Sequence, residues 1–330
     1  MLRKFRHLLF QLLLTLPALY LTFLLLRYPA SSLDYAYTGL ILWFQKMIPT
    51  LFPFMILSGI MVRMNLTENF ARFFHPLFHI IFGTSLNGSY VILMGMLCGF
   101  PMGARVIGDL CTAGKLTKEE GAYLLSFCNN IGPIYFLSFV MSTLSLSGSF
   151  LPFLIMYGVP LGYGAALHLL GLPGKQSASA SFSSAMPLRA ASIEYPFRAA
   201  SYEPEKLSLL AAIDDSVVSA LIGIGKLGGY MVFFNLLNIL LLPLTTLSAD
   251  SLAFCNCLLE ITSGINRAGK EHMYMILTLL PFGGFSCMAQ TYSMIKGTNL
   301  SILQYFLHKC IQTALTALIY AVFCVFSFAL

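Results

Sequence analysis

Charge is scarce in this chain. Only 10% of its 330 residues are Asp, Glu, Lys or Arg, whereas a soluble domain carries about 25%. With 58% hydrophobic residues and a mean hydropathy of +0.80, a soluble globular domain is excluded in favour of a polytopic membrane protein. The formal charge of +6 is spread over short loops with no polybasic run, so nucleic acid is not a partner and the charge sets orientation. None of the eight cysteines stands in a Cys-x-x-Cys pair, and Cys255-Asn256-Cys257 and the i, i+4 pair His75 and His79 lack further ligands. No metal site is expected. A nucleophile elbow, a P-loop, an HExxH and a paired-carboxylate site are all missing, which leaves enzymatic chemistry without support.

What is present is apolar length. Blocks near residues 8–26, 38–62, 120–145, 150–170, 216–242 and 302–328 each have the roughly 20 residues that cross a bilayer. Arg3, Lys4, Arg6 and His7 precede the first block and no Ala-x-Ala site follows it, so an uncleaved helix with a cytoplasmic N-terminus is expected. Residues 171–206 are rich in Ser, Ala and Pro and carry Lys175, Arg189, Arg198 and Lys206, which reads as a flexible cytoplasmic linker. The echo of Arg189-Ala-Ala-Ser192 in Arg198-Ala-Ala-Ser201 marks either a modification site or a plain tether. The chain thus divides into an N-terminal helix and loop (1–35), a first repeat (36–170), the linker (171–206) and a second repeat (207–330).

The stretch LCGFPMGARVIGDL, residues 97–110, sits in an apolar setting yet carries Gly99, Pro101, Arg105 and Asp109. A proline costs about 3 kcal/mol in a helix interior, and an arginine at the bilayer centre about 2.5 to 3.5 kcal/mol on insertion scales. Gly99-Phe100, Ala104, Gly114 and Leu116 in the first half match Gly284-Phe285, Ala289, Gly297 and Leu300 in the second, with nearly constant offsets. Both halves therefore place a glycine-rich break in an apolar segment, the sequence pointer to a transporter's substrate site. Released backbone groups must face protein or a water-filled cavity, so Phe100–Gly103 and Gly283–Ser286 are expected to be re-entrant hairpin tips meeting near the bilayer midplane.

The resulting expectation is an all-α polytopic membrane protein of two inverted repeats, each with a re-entrant helical hairpin. In this scheme 251–266 is an interfacial or re-entrant stretch equivalent to the amphipathic 67–82, and the C-terminus is cytoplasmic. Candidate substrate-binding residues cluster at the breaks. Arg105 either forms a structural pair with Asp109 or lines the site, and Gln290 occupies the corresponding place in the second half, near Ser286. Asn129 and Asn130, before Gly132-Pro133, offer amide donors and acceptors to a polar solute or serve as interhelical glue. Glu260 is a candidate for H+ or Na+ coupling or for holding hydroxyls. Thr117 to Glu120 has capping-box form, and Asp214 and Asp215 are expected to open the helix after the linker.

The combination of GFPMGARVIGDL, GKLTKEEGAYLLSFCNNIGPIYF, LLEITSGI and FGGFSCMAQ resembles the YlbJ-type sporulation integral membrane proteins of the nucleoside-recognition (Gate-domain) family. The resemblance covers roughly residues 36–328. It implies kinship with the core of concentrative nucleoside transporters and a role in forming the spore envelope or cortex. By position it carries over Gly99, Pro101, Arg105, Asn129, Asn130, Glu260 and Gln290 as site residues. The implied function is a transporter or permease for a small polar metabolite, nucleosides foremost; the alternative is a non-transporting scaffold or gate in spore-envelope assembly. No cofactor beyond a coupling ion is implied. The partners are the lipid bilayer, the substrate, and a second copy of the chain or other sporulation membrane proteins.

Overall fold

The computed structural model describes residues 2–146, 148–171, 208–244 and 246–328. The linker beyond Gly171, with Ser192 and Ser201, lies outside the described residues. All regular elements described are helical: α1 (Leu2–Arg27), α2 (Pro29–Leu42), α3 (Ile48–Arg63), α4 (Thr67–Ala71), α5 (His75–Phe82), α6 (Leu86–Cys98), α7 (Met102–Thr112), α8 (Lys118–Phe127), α9 (Pro133–Tyr135), α10 (Met141–Thr143), α11 (Leu151–Leu169), α12 (Leu209–Leu236), α13 (Ala249–Leu259), α14 (Ile261–Ala268), α15 (Met273–Leu279), α16 (Gly284–Ile295) and α17 (Ile302–Phe328). π-turns join α2 to α3 and α9 to α10, and α12 tightens into a 3-10 turn at Leu237–Leu241. Among the described residues five segments are long and apolar enough to cross a membrane, Pro29–Arg63, Leu151–Leu169, Leu209–Leu241, Ile261–Ile295 and Ile302–Phe323, or six if the pair His75–Phe82 and Leu86–Cys98, bent by 95°, counts as one.

Side-chain caps set several helix starts. Ser85, Thr117, Ser208 and Ser248 each accept a backbone N–H from the first turn of α6, α8, α12 and α13, satisfying donors a helix leaves open. The box at Thr117 is half made: Thr117 accepts from Glu120 N, but the Glu120 carboxylate turns away to accept from Ser85 N at 2.6 Å. Asp214 and Asp215 do not open α12, which starts five residues earlier at Leu209 behind its Ser208 cap.

Lipid supplies no hydrophobic drive between helices, so close packing through small residues has to hold them. Gly39 and Gly59 meet Val232 and Ser216 of α12, Gly228 meets Trp43, and Trp43 Nε1 donates to Ile224 O at 2.9 Å. These contacts lay α12 antiparallel along α2 and α3. Apolar side chains that face outward, such as Leu16, Phe23, Leu221, Leu303 and Leu318, suit a lipid-facing belt.

Contacts sort the helix ends into two groups. Arg63 donates to Ser216 Oγ at 3.3 Å, Lys115 to Val62 O at 3.0 Å, and Gly83 lies against His168, so all of these share the end where residues 171 and 208 flank the linker. Arg267 pairs with Asp34 at 3.9 Å, His272 with Asp250 at 3.2 Å, and the Tyr274 and Tyr320 rings meet at 6.4 Å, which defines the far end.

Two hairpins follow from this sorting. Along α8, Glu120, Cys128 and Gly132 face Gly88, Gly95 and Gly99 of α6 in parallel order, while Gly121 and Cys128 face Cys111 and Gly103 of α7 in reverse order. Helices α6 and α7 are therefore the arms of a hairpin entering from the linker end, with Gly99–Pro101 at its tip. In the other half, Gly264 packs on Cys257 and folds α14 back on α13; that hairpin enters from the far end, with Glu260 at its tip.

This corrects the pairing read from the sequence. FGGFS is not a hairpin tip: α15 starts at the far end beside Asp250, breaks at 280–283, and continues as α16 until Met294 lies against Gly108 of α7. A second helix, α8 to α10, is likewise broken, at 128–132. Likewise 251–266 is a hairpin, whereas 67–82 is two short helices, α4 and α5. Because α15 and α16 cross from end to end, α17 runs back to the far end. Its C-terminal end lies opposite the linker, contrary to the expected C-terminus on the linker's side.

Candidate functional site

The four interruptions converge. A Cβ on Gly99 (φ 86°) would fall 2.2 Å from Gly132 N, and one on Gly132 would fall 2.6 Å from Cys98 O, so only glycines allow this tip and this break to touch through their backbones. Gly283 (φ 75°) lies against the Phe100 ring, and Gly284 against Cys257 O and Ile261 N. The GFPMG and FGGFS segments thus do meet, as expected, although only the first is a hairpin tip.

A cavity of about 50 Å³ lies between them, lined by Phe100, Gly132, Tyr135, Glu260, Thr262 and Gln290 with apolar side chains of α3 and α12. Glu260 is 2% exposed. Its extended backbone (φ −146°, ψ 111°) ends α13 and caps α14, the carboxylate accepting from Thr262 N at 3.1 Å and Ser263 N at 2.7 Å. The positive end of α14 suits that anion. Gln290 projects from α16 and donates to Ser286 Oγ at 3.0 Å.

Of the residues singled out in the sequence, Glu260 and Gln290 line the cavity; Gly99 touches the lining residue Gly132, Ser286 accepts from Gln290, and Pro101 follows Phe100 at the hairpin tip. The adjacent amides do something else. Asn129 Oδ1 accepts from Ala104 N in the first turn of α7 at 3.3 Å, and its Nδ2 donates to Thr291 Oγ1 at 2.9 Å and Tyr305 Oη at 3.0 Å. One side chain thus ties the first break to the hairpin, to α16 and to α17. Asn130 donates to Phe127 O and accepts from Lys309 Nζ, both at 2.6 Å. Arg105 points away from the cavity to Ser219 of α12, with Nη2 to Oγ at 2.9 Å, and its Nε lies 3.6 Å from Asp109; it fastens the hairpin to its neighbour.

Lys309 escaped the sequence reading. It is wholly buried, bonded to the neutral oxygens of Asn130 and Gln312, and set 5.2 Å from the Phe100 ring centroid. A lysine seven residues into an apolar span is a functional marker in its own right. Asn235 and Asn238 near the end of α12 were also missed, although amides three apart inside an apolar run are visible in the sequence. Among the described residues no group of three or more His, Cys, Asp and Glu side chains is arranged to hold a metal ion.

The chain is similar to the sporulation integral membrane protein YlbJ of Bacillus subtilis (strain 168), 23% identical over 318 residues that cover 89% of this chain and 78% of the relative. This distant likeness supports the YlbJ type and an integral membrane protein. No family model matches the chain, and no solved structure does.

Proposed function

We propose that this protein is a membrane carrier for a small polar metabolite, of the nucleoside class, and that its two halves act as inverted repeats. The observation that carries the reading is the pair of hairpins, entering from opposite ends, whose tips close on two broken helices around the cavity of Glu260 and Gln290. Half-helices that end at a central polar site are how carriers expose that site to one side at a time. A carboxylate and an amide offer the acceptors and donors that sugar hydroxyls and a base edge need.

The cavity of about 50 Å³ is far below the roughly 300 Å³ at the lower end for small-molecule sites. On this reading the cavity must widen before a nucleoside fits, and it does so when one hairpin withdraws. Arg63, Arg72, Lys115, Lys118 and Lys296 lie toward the end from which the linker departs, against Arg27, Arg267 and Lys270 toward the far end, and the linker sequence itself adds four basic residues. By the positive-inside rule the linker end is cytoplasmic, and Arg3, Lys4 and Arg6 ahead of α1 argue for a cytoplasmic N-terminus by the same rule. The name of the Bacillus relative directs the role to the membranes of a developing spore.

Uptake of radiolabelled uridine and adenosine into proteoliposomes tests the reading: Glu260→Gln and Gln290→Ala should abolish flux in protein that remains folded. Folded wild-type protein that neither takes up nucleosides nor gains thermal stability from them would reject it. The second reading, a non-transporting scaffold for spore-envelope assembly, draws on Asn129 and Asn130, whose amides bond to other parts of the protein. On that reading Gln290→Ala leaves spore formation intact.

A further inference from the structure

At the far end, the base of the α13–α14 hairpin borders a second cavity, separate from that of Glu260 and Gln290. It measures about 500 Å³ and lies between α2, the end of α12, α13 and α14, within the roughly 300–1,000 Å³ of small-molecule sites. Its polar lining is Tyr35, Asn256, Arg267 and His272, and the rest of the wall is leucine and alanine. Two of the polar groups lack the partners that such burial demands. Asn256 is 8% exposed and its side chain makes no hydrogen bond among the described residues, although a buried amide is ordinarily bonded. Arg267 meets Asp34 at 3.9 Å, too long for a hydrogen bond, and lies over the Tyr35 ring at 4.2 Å. Its planar fork keeps donors for a phosphate, which it can bind through two parallel hydrogen bonds.

The wall and the rim select the rest of the ligand. Leu242, Leu244 and Leu252 line the cavity and are also exposed on the outer surface, so in a bilayer it opens sideways to acyl chains. Asp34 and Asp250 stand at the rim, their side chains 74% and 84% exposed, one beside Arg267 and the other 3.2 Å from His272. The mouth is therefore positive within and negative outside. A headgroup that is only anionic suits Arg267 but meets two carboxylates around it. A zwitterionic headgroup suits both, with its phosphate on the guanidinium and its ammonium at the rim, where it donates hydrogen bonds to a carboxylate.

We infer that this cavity binds one phosphatidylethanolamine, with its phosphate on Arg267, its ammonium at Asp34, its ester groups at Asn256 and an acyl chain along the leucines. Seated there, the lipid joins the base of the α13–α14 hairpin to α2 and to the end of α12. The binding does not depend on the carrier reading.

The test is thermal unfolding of the purified full chain in detergent micelles doped with phosphatidylethanolamine or phosphatidylglycerol of the same acyl chains at equal mole fraction, with inorganic phosphate as a third arm. The wild-type midpoint should climb with the phosphatidylethanolamine fraction, as for any ligand that binds only the folded state, climb less with phosphatidylglycerol, and stay in place with phosphate, which has no acyl chain. Arg267→Gln should remove the response to both lipids, and Asp34→Asn should erase the difference between them. Asp34 is exposed, so Asp34→Asn keeps the test decisive if Arg267→Gln does not fold. Equal wild-type climbs in the two lipids would mean that they merely solvate the apolar surface and would overturn the proposal. So would a climb with phosphate alone, which would make the ligand a free anion, or a lipid preference that Asp34→Asn leaves untouched.

Discussion

Replacing Gly95 with alanine probes whether the first hairpin depends on its backbone contact with the broken helix. Alanine for glycine inside a helix is favourable by roughly 0.5–1 kcal/mol, since the unfolded chain loses less freedom on folding. At Gly95 the added Cβ would lie 2.1 Å from the carbonyl oxygen of Cys128, well inside contact distance. That oxygen is main chain at the last turn of α8, so it cannot swing aside as the end of a side chain would. Overpacking of this kind costs about 1–3 kcal/mol, and the 2.1 Å approach puts Gly95 toward the upper part of that range, so the variant should be less stable by up to about 2.5 kcal/mol after the propensity gain. Gly229, on the exposed face of α12, has nothing within 4 Å of its would-be Cβ, so the same substitution there should stabilise by roughly 0.5–1 kcal/mol. The test is one of sign. Unfolding in detergent, followed by a thiol-reactive dye that reports exposure of the buried Cys98 and Cys128, should give midpoints displaced in opposite directions. Equal shifts in the same direction would refute the close approach of α6 and α8. Gly103 meets the same oxygen from α7, at 2.4 Å, so the Gly95→Ala, Gly103→Ala double variant should lose less than the sum of its parts.

Asn130→Leu strips the buried Lys309 ammonium of its 2.6 Å acceptor and should destabilise by about 1–3 kcal/mol. The double variant with Lys309→Met should recover part of that loss, and strict additivity in the cycle would mean the two do not interact. For topology, reporters inserted in the linker and fused after Leu330 should appear on opposite sides of the membrane. Reporters on the same side would show that α15 and α16 do not together cross it.

Much of the fold can be read from the chain because its causes are local. Apolar length marks α1, the α2–α3 segment, α11, α12 and α17; Thr117 marks the start of α8; Gly99 and Pro101 mark an interruption whatever surrounds them. Glu260 and Gln290 stand out because polar groups are rare in such runs. Which interruptions reverse the chain was not legible. GFPMG and FGGFS look alike as strings, yet one reverses the chain and the other only breaks a crossing, because reversal at Gly99 rests on Cys128 and Gly132, about thirty residues away in sequence. The second reversal occurs at Glu260, a residue with no turn signature, whose carboxylate caps α14 while Gly264 gives α13 room to pack. The roles of the amides were equally hidden: Asn129 is bound to Thr291 and Tyr305 across more than 160 residues. Hydropathy and propensity act within a turn or two of helix and can be read along the chain. The partner of a buried polar group is chosen by which helices the bundle brings together, and that is settled only when the whole chain has packed.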